Sequence, residues 1–425
     1  KVTGAGTADL RLTNLVSTSG ATVTVAGTSG NDALSFAAGA SSHTVTVNGV
    51  SYSFAASSYN TFSLSGAAGT DSVTLTGSAG NETGVLRDGY ASLSGGAYSA
   101  TASSVRDARL VGGGGTDAVR LYDSAGDDRF SGREGYAQIR AFDGSFFNEA
   151  VGFADARAYA STGLDQAFVY DTSGDDNLIA RHDYTLLRSS SATMYTLARG
   201  FDEVRVYASA GNDIASLYDT IGDDTFTARG DLGILASADG ETYNLAKGFD
   251  AVRAYASTGN DLAYLYDTAG DDLFVGRADY GLMQSTDGEV YNLARGFDQV
   301  RAYASTGRDL AYLYDSAGAD IFVGRDDYSL MRGAGNEHYS LARGFDEVRA
   351  YASTGADTAQ LYGSDGDDQL IARKEHAILR AVDASFYNLT SGFATVRAFA
   401  SEGSDLQDVS DDDIDYAFGQ VGDWS

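Results

Sequence analysis

The feature that most constrains this chain is a strict 48-residue repeat between about residues 105 and 403. A Gly-Phe pair marks each repeat with no insertion, and its glycines are Gly152, Gly200, Gly248, Gly296, Gly344 and Gly392. Such regularity is typical of stacked arrays, in which each unit buries its apolar face against its neighbours. The repeat therefore predicts an elongated solenoid, although a length of 425 residues alone would suggest two or three globular domains.

Each repeat contains five segments that are rich in Val, Tyr, Phe and Leu. In the repeat that begins at Phe249 they are FDAVRAYAS, LAYLYDT, LFVGR, YGLMQS and VYNLARG, and turn sequences such as TGND and AGDD separate them. This composition predicts strands rather than helices. Because strand side chains alternate between two faces, we expect Val252 and Ala254 to point inward and Arg253 and Tyr255 to point outward.

The sequence predicts an all-β fold, a parallel β-helix (β-solenoid) built from 48-residue repeats. A β-helix coil takes roughly 20–25 residues, so we expect two coils per repeat, the first carrying FDAVRAYAS and LAYLYDT. Residues 1–104 form a diverged N-terminal solenoid segment, with a β-hairpin at Asn48-Gly49. Residues 105–403 are the regular array, and residues 404–425 are an acidic tail or cap, either a short helix or a mobile segment.

The charge balance limits the partners. With 59 acidic and 29 basic residues the net charge is -30, which disfavours nucleic acid and anionic membranes and favours cations. There is no cysteine, so outside the cell this chain would need a source of stability other than disulfides, and repeat stacking or bound metal could supply it. No apolar run approaches the length of a membrane span.

The acidic turns are the first candidate site. Each repeat contains the pattern G-x-D-x-A-x-x-Y-D-x-x-G-D-D, as between Gly259 and Asp272. Ca²⁺ prefers carboxylate and carbonyl oxygens at such turns, whereas the alternative is that Asp only caps tight turns by accepting backbone N–H bonds. The candidate ligands are Asp165, Asp175, Asp176, Asp213, Asp223, Asp224, Asp261, Asp271, Asp272, Asp309, Asp320, Asp357, Asp367 and Asp368. These turns resemble the glycine- and aspartate-rich calcium-binding repeats of secreted RTX (hemolysin-type) proteins.

Outward tyrosines and arginines are the second candidate site. A tyrosine row could stack on sugar rings or on another protein, or the rings could stack on one another and on Arg. An arginine row could bind an anionic polysaccharide, or each Arg could pair with a neighbouring acid. The candidate surface residues are Tyr170, Tyr218, Tyr266, Tyr314, Tyr362, Arg205, Arg253, Arg301 and Arg349.

Catalytic signals are weak. The four histidines, His43, His182, His338 and His376, do not recur in register, and nothing in the sequence predicts a catalytic triad or a zinc site. The repeat ladders are uniform, whereas an active site is local. We therefore expect a protein that is not an enzyme.

The phrases LYDSAGDDRF, GFDEVRAYAST and GTSGNDALSF resemble those of very large secreted bacterial repeat proteins, planctomycete-like surface proteins especially. This resemblance implies an extracellular or cell-surface location and a structural role as a rod, adhesin or fibre subunit, with end-to-end self-assembly or a cell-surface glycan as partner. The alternative is a β-helix that binds or acts on carbohydrate, of the polysaccharide lyase or epimerase type.

Overall fold

The computed structural model describes residues 14–335, 337–410 and 414–425. All regular elements in these ranges are β-strands, which confirms the all-β prediction. The described residues contain no helix with the length and apolar character needed to cross a membrane. The chain divides into two compact units, one of Lys1–Phe168 with Thr193–Phe201 and one of Val169–Ala192 with Asp202–Ser425.

The strands are short, mostly five or six residues long. As far as residue 207 they are β1 (Val16–Ser19), β2 (Thr22–Ala26), β3 (Ala33–Ala37), β4 (Ser42–Val47), β5 (Val50–Ala55), β6 (Thr61–Ser65), β7 (Ser72–Thr76), β8 (Thr83–Arg87), β9 (Tyr90–Gly95), β10 (Tyr98–Ser103), β11 (Asp107–Val111), β12 (Ala118–Tyr122), β13 (Asp128–Arg133), β14 (Tyr136–Ala141), β15 (Phe147–Val151), β16 (Asp155–Tyr159), β17 (Gln166–Tyr170), β18 (Asp176–Ala180), β19 (Tyr184–Ser189), β20 (Tyr195–Arg199) and β21 (Glu203–Tyr207).

The same lengths continue to the end of the chain. The remaining strands are β22 (Ile214–Tyr218), β23 (Asp224–Arg229), β24 (Leu232–Ser237), β25 (Tyr243–Lys247), β26 (Ala251–Tyr255), β27 (Leu262–Tyr266), β28 (Asp272–Gly276), β29 (Tyr280–Ser285), β30 (Tyr291–Arg295), β31 (Gln299–Tyr303), β32 (Leu310–Tyr314), β33 (Asp320–Gly324), β34 (Tyr328–Gly333), β35 (Tyr339–Arg343), β36 (Glu347–Tyr351), β37 (Thr358–Tyr362), β38 (Asp368–Arg373), β39 (His376–Ala381), β40 (Tyr387–Ser391), β41 (Thr395–Phe399), β42 (Leu406–Val409) and β43 (Ala417–Val421).

The first unit contains two sheets. One has the strand order β1-β2-β6-β10-β9-β8-β12-β16-β20. The other has the order β5-β4-β3-β7-β11-β15-β14-β13. The chain crosses repeatedly from one sheet to the other, and this crossing makes the unit a solenoid.

The second unit also contains two sheets. One has the order β19-β18-β22-β26-β30-β29-β28-β32-β36-β40-β39-β38-β42. The other has the order β21-β25-β24-β23-β27-β31-β35-β34-β33-β37-β41-β43. Parallel pairing between successive turns confirms the β-solenoid prediction.

The size of one turn differs from the expectation. Strand β22 pairs in parallel with β26, and Ile214 lies opposite Ala251, which is a step of 251 − 214 = 37 residues. Glu203 lies opposite Tyr243, a step of 40 residues. The prediction of two coils of about half a repeat each is therefore wrong, because one turn takes most of a repeat.

The larger turn arises from a three-stranded antiparallel zigzag. The last three strands of each repeat, such as β28, β29 and β30, fold back on one another in the same sheet. A repeat thus changes sheet only three times, which is an odd number. Equivalent residues of neighbouring repeats consequently lie in opposite sheets, which the 48-residue period alone does not reveal.

The inward and outward faces match the expectation. Val252 and Ala254 are fully buried, whereas Arg253 and Tyr255 are half-buried on the outer face. Aromatic pairs also fill the interior, such as Phe226 and Phe297 with ring centroids 6.0 Å apart. Alternation along each five-residue strand is therefore enough to define the core.

Steric contact explains why glycine occupies the first position of the Gly-Phe pair. Gly248 has a φ of +87°, and a Cβ at this position would lie 2.3 Å from the carbonyl oxygen of Ala208. Only glycine combines this backbone conformation with such a close approach to the adjacent turn.

The hairpin predicted at Asn48-Gly49 joins β4 and β5. Both turn residues have positive φ, 51° and 83°, as a two-residue hairpin turn of type I′ requires. In the tail, where the sequence left a helix open, the described residues instead form β42 and β43. These strands pair in parallel with β38 and β41.

Candidate metal centre

Within the described residues, five clusters of three aspartates lie at the corners where the chain changes sheet. In each cluster one Asp follows a strand, the second begins the next strand, and the third precedes the strand stacked on it in the next turn. Each Asp offers a carboxylate oxygen, and the three oxygens lie within 4.8 Å of one another. We call these clusters the Asp triads: Asp123/Asp128/Asp165, Asp171/Asp176/Asp213, Asp219/Asp224/Asp261, Asp267/Asp272/Asp309 and Asp315/Asp320/Asp357.

Backbone hydrogen bonds hold each triad in place. In the third triad, the backbone N–H of Asp224 donates to Asp261 Oδ1 at 2.8 Å. Thr220 donates its backbone N–H and its hydroxyl to Asp224 Oδ2 at 3.1 and 2.7 Å. The hydroxyl of Ser257 donates to Asp219 Oδ2 at 2.9 Å. Turn capping, the alternative considered from the sequence, is thus part of the arrangement.

Capping does not satisfy every oxygen of the triads. The middle Asp of each of the five triads is at most 2% exposed, and its Oδ1 has no hydrogen-bond partner within the described residues: Asp128, Asp176, Asp224, Asp272 and Asp320. Leaving a buried polar atom unpaired costs about 1–3 kcal/mol, and more where the group is charged. Each of these sites therefore favours a cation or a proton beside the carboxylates.

The pKa shifts have the same cause. Burial, followed by the nearby carboxylates, raises the pKa of Asp213, Asp261 and Asp309 to about 6. Burial also raises the pKa of Asp224 and Asp272 above the usual range. Three carboxylates at one buried corner resist simultaneous ionisation unless positive charge compensates them.

Related corners nearer the two ends of the chain have only two acids. Glycine replaces the first Asp at Gly27, Gly77 and Gly363, which leaves the pairs Asp32/Asp71, Glu82/Asp117 and Asp368/Asp405. At each of these glycines a Cβ would lie 2.9 Å from a carboxylate oxygen of its own pair. These acid pairs show the same corner with one carboxylate fewer than a triad.

The predicted ligands divide into three groups. Asp165, Asp176, Asp213, Asp224, Asp261, Asp272, Asp309, Asp320 and Asp357 belong to triads. Asp368 belongs to an acid pair. The other four are exposed, lie outside the triads and accept the backbone N–H of the residue stacked on them: Asp175, Asp223, Asp271 and Asp367.

The candidate ligands predicted from the sequence omit Asp128 and the first member of each triad. The omitted first members are Asp123, Asp171, Asp219, Asp267 and Asp315. Each follows a Leu-Tyr or Val-Tyr strand end and recurs on the 48-residue ruler, so the signal was present. The sequence does not show that this residue lies beside the turn aspartates, because their closeness arises only when the corner folds.

The outward tyrosines stack in pairs. The rings of Tyr218 and Tyr255 are 5.0 Å apart and nearly parallel, as are those of Tyr266 and Tyr303 at 5.2 Å. Tyr170, Tyr314 and Tyr362 stack in the same way on Tyr207, Tyr351 and Phe399. An arginine covers the remaining face of several rings, for example Arg181, 4.0 Å from the ring centre of Tyr218.

The outward arginines have local partners. Arg205 and Arg349 form ion pairs with Glu203 and Glu347, two residues earlier in the same strand. Arg301 donates to Gln299 at 3.0 Å. Arg253 lies 5.8 Å from the ring centre of Tyr291.

One histidine, also missed, lies beside a triad. His338 is 3% exposed, and its Nε2 lies 3.2 Å from Asp320 Oδ1. The equivalent positions in earlier repeats are Met194, Thr242 and Val290, so alternation predicts that the His338 side chain points inward. The sequence does not predict that it lies close to Asp320.

No protein-family model matches this chain, and no curated protein is similar to it.

Proposed function

We propose that this protein is a non-catalytic, extracellular structural solenoid whose Asp triads bind Ca²⁺ as a stabilising ion. The observation that carries the proposal is the recurrence of the same three-carboxylate corner five times within the described residues. An enzyme needs one site with distinct roles for its residues, whereas repeated identical sites serve the framework that contains them.

The donor set favours Ca²⁺ over softer metals. Four triads have only oxygen donors, from carboxylates that are fixed by backbone N–H bonds. Ca²⁺ takes six to eight oxygens, and three carboxylates supply up to six, with carbonyls or water completing the shell. A bound Ca²⁺ would compensate the charge on each triad and give the unpaired Oδ1 a partner.

The tyrosine pairs support a structural role over sugar binding. Tyr218 has Tyr255 on one side and Arg181 on the other, so both ring faces are already in contact with protein. Sugar rings stack on free aromatic faces. The carbohydrate-active alternative, a cell-surface glycan partner and end-to-end self-assembly stay predictions from the sequence.

The test compares two adjacent aspartates. We expect Asp224→Asn to remove one Ca²⁺ from the total bound by the chain at neutral pH, measured by equilibrium dialysis. Asp223→Asn is the matched control, because Asp223 is exposed and lies outside the triad. Equal Ca²⁺ binding by both variants and the unaltered protein would refute the assignment.

A further inference from the structure

The fifth triad differs from the others because a histidine faces it. His338 Nε2 and Asp320 Oδ1 are 3.2 Å apart, and the two side chains are 4% and 0% exposed. Neither atom has a hydrogen bond of good geometry, and His338 Nδ1 also lacks a partner within the described residues. Asp357 Oδ2 in the same triad is another buried oxygen without a partner. His338 thus brings two unpaired buried nitrogens next to Asp320, whose triad has two unpaired buried oxygens.

The distance between nitrogen and oxygen suits two ligands of one metal ion. Zn²⁺ binds His nitrogen at about 2.0–2.1 Å and carboxylate oxygen at about 2.0–2.2 Å, usually with tetrahedral geometry. Two such ligands are separated by roughly 3.3–3.5 Å, the edge of that tetrahedron. The observed 3.2 Å is close to this separation. The carboxylates of Asp315 and Asp357 lie within 4.8 Å of Asp320 and are available as further ligands.

The nitrogen donor changes which metal is preferred. Imidazole suits first-row transition ions such as Zn²⁺, whereas sites built only from oxygen suit Ca²⁺. The equivalent positions at the second, third and fourth triads hold Met194, Thr242 and Val290, none of which offers an imidazole. The same fold therefore contains one mixed N/O site among oxygen-only sites.

We propose that His338, Asp320 and Asp357, with Asp315 beside them, form a site for a divalent transition metal of the Zn²⁺ class. The site shares a triad with the proposed Ca²⁺ sites but does not depend on Ca²⁺ binding at the other four. It predicts one transition-metal ion per chain.

Co²⁺ is the probe, because its visible absorption reports the ligands that surround it. We expect the metal-free full chain to bind one Co²⁺ with a spectrum typical of mixed N/O ligands. Zn²⁺ should displace it at stoichiometric concentration, whereas Ca²⁺ should need a large excess. His338→Val should weaken Co²⁺ binding at least about tenfold, which is the minimum cost that loss of even an outer-shell partner usually has.

Two controls keep the test sharp. Valine occupies the equivalent position at Val290, so His338→Val should fold, and its β-type circular dichroism checks this. His182→Gln removes an exposed histidine and should leave Co²⁺ binding unchanged. Absence of Co²⁺ binding, or binding that His338→Val does not weaken, would overturn the proposal and make His338 only a partner of Asp320. Co²⁺ binding at this site without Ca²⁺ binding elsewhere would refute the calcium proposal alone.

Discussion

The backbone N–H of Asp224 donates to the carboxylate of Asp261, although 37 residues separate the two aspartates in the chain. The same bond recurs between Asp272 and Asp309 and between Asp320 and Asp357. It joins two successive turns of the solenoid at the corner where acidic side chains accumulate. The stability of the stack and the charge state of the triads are therefore linked.

The first prediction concerns pH in the absence of metal. The pKa of Asp213, Asp261 and Asp309 is about 6 in the folded protein and close to 3.8 when unfolded. Between these values the folded state binds more protons than the unfolded state, so the free energy of unfolding falls as pH rises. In EDTA we expect the melting temperature to decrease from pH 4.5 to pH 6.5, as measured by circular dichroism. A melting temperature that increases over this range would contradict the assignment.

The second prediction tests which face is inside. Ala254→Arg would place a charge at a fully buried position and should lower the free energy of unfolding by about 3 kcal/mol or more. Arg253→Ala, at the adjacent outward position, should cost about 1 kcal/mol or less, because it removes a single cation–π contact. Denaturant unfolding of both variants measures the difference. Similar costs would mean that the strand faces are assigned wrongly.

Much of the fold was predictable from local patterns. The five strands of each repeat and the burial of Val252 and Ala254 follow from composition and alternation. The length of a turn was not predictable, because nothing in YGLMQS shows that β29 runs antiparallel between β28 and β30 in one sheet. An equal division of the repeat into two coils ignores this zigzag.

The candidate site was only partly predictable, because it also depends on which strands lie next to each other. The repeat motif contains Asp219, Asp224 and the position of Asp261, but only the corner geometry shows that the three carboxylates lie together. His338 was not predictable as a ligand, since the residues next to it in the sequence do not form a metal-binding motif. Its distance to Asp320 is set by the antiparallel pairing of β33, β34 and β35.

The third prediction separates backbone conformation from steric contact. Gly296 and Gly288 have nearly the same φ, +83° and +82°, but a Cβ at Gly296 would lie 2.4 Å from the carbonyl oxygen of Ala256. A Cβ at Gly288 would meet nothing within 4 Å. Gly288→Ala should cost about 1–2 kcal/mol from the left-handed conformation alone. Gly296→Ala should cost clearly more, and equal losses in denaturant unfolding would argue against the close approach of successive turns.

The most direct test of the central claim is the melting temperature of the full chain at pH 7.4, in EDTA and in millimolar Ca²⁺. A ligand that binds only the folded state at 100 times its dissociation constant adds about 2.7 kcal/mol per site. The account predicts that Ca²⁺ raises the melting temperature by many degrees, and that Asp224→Asn reduces the increase whereas Asp223→Asn does not. The same melting temperature in EDTA and in Ca²⁺ would contradict it.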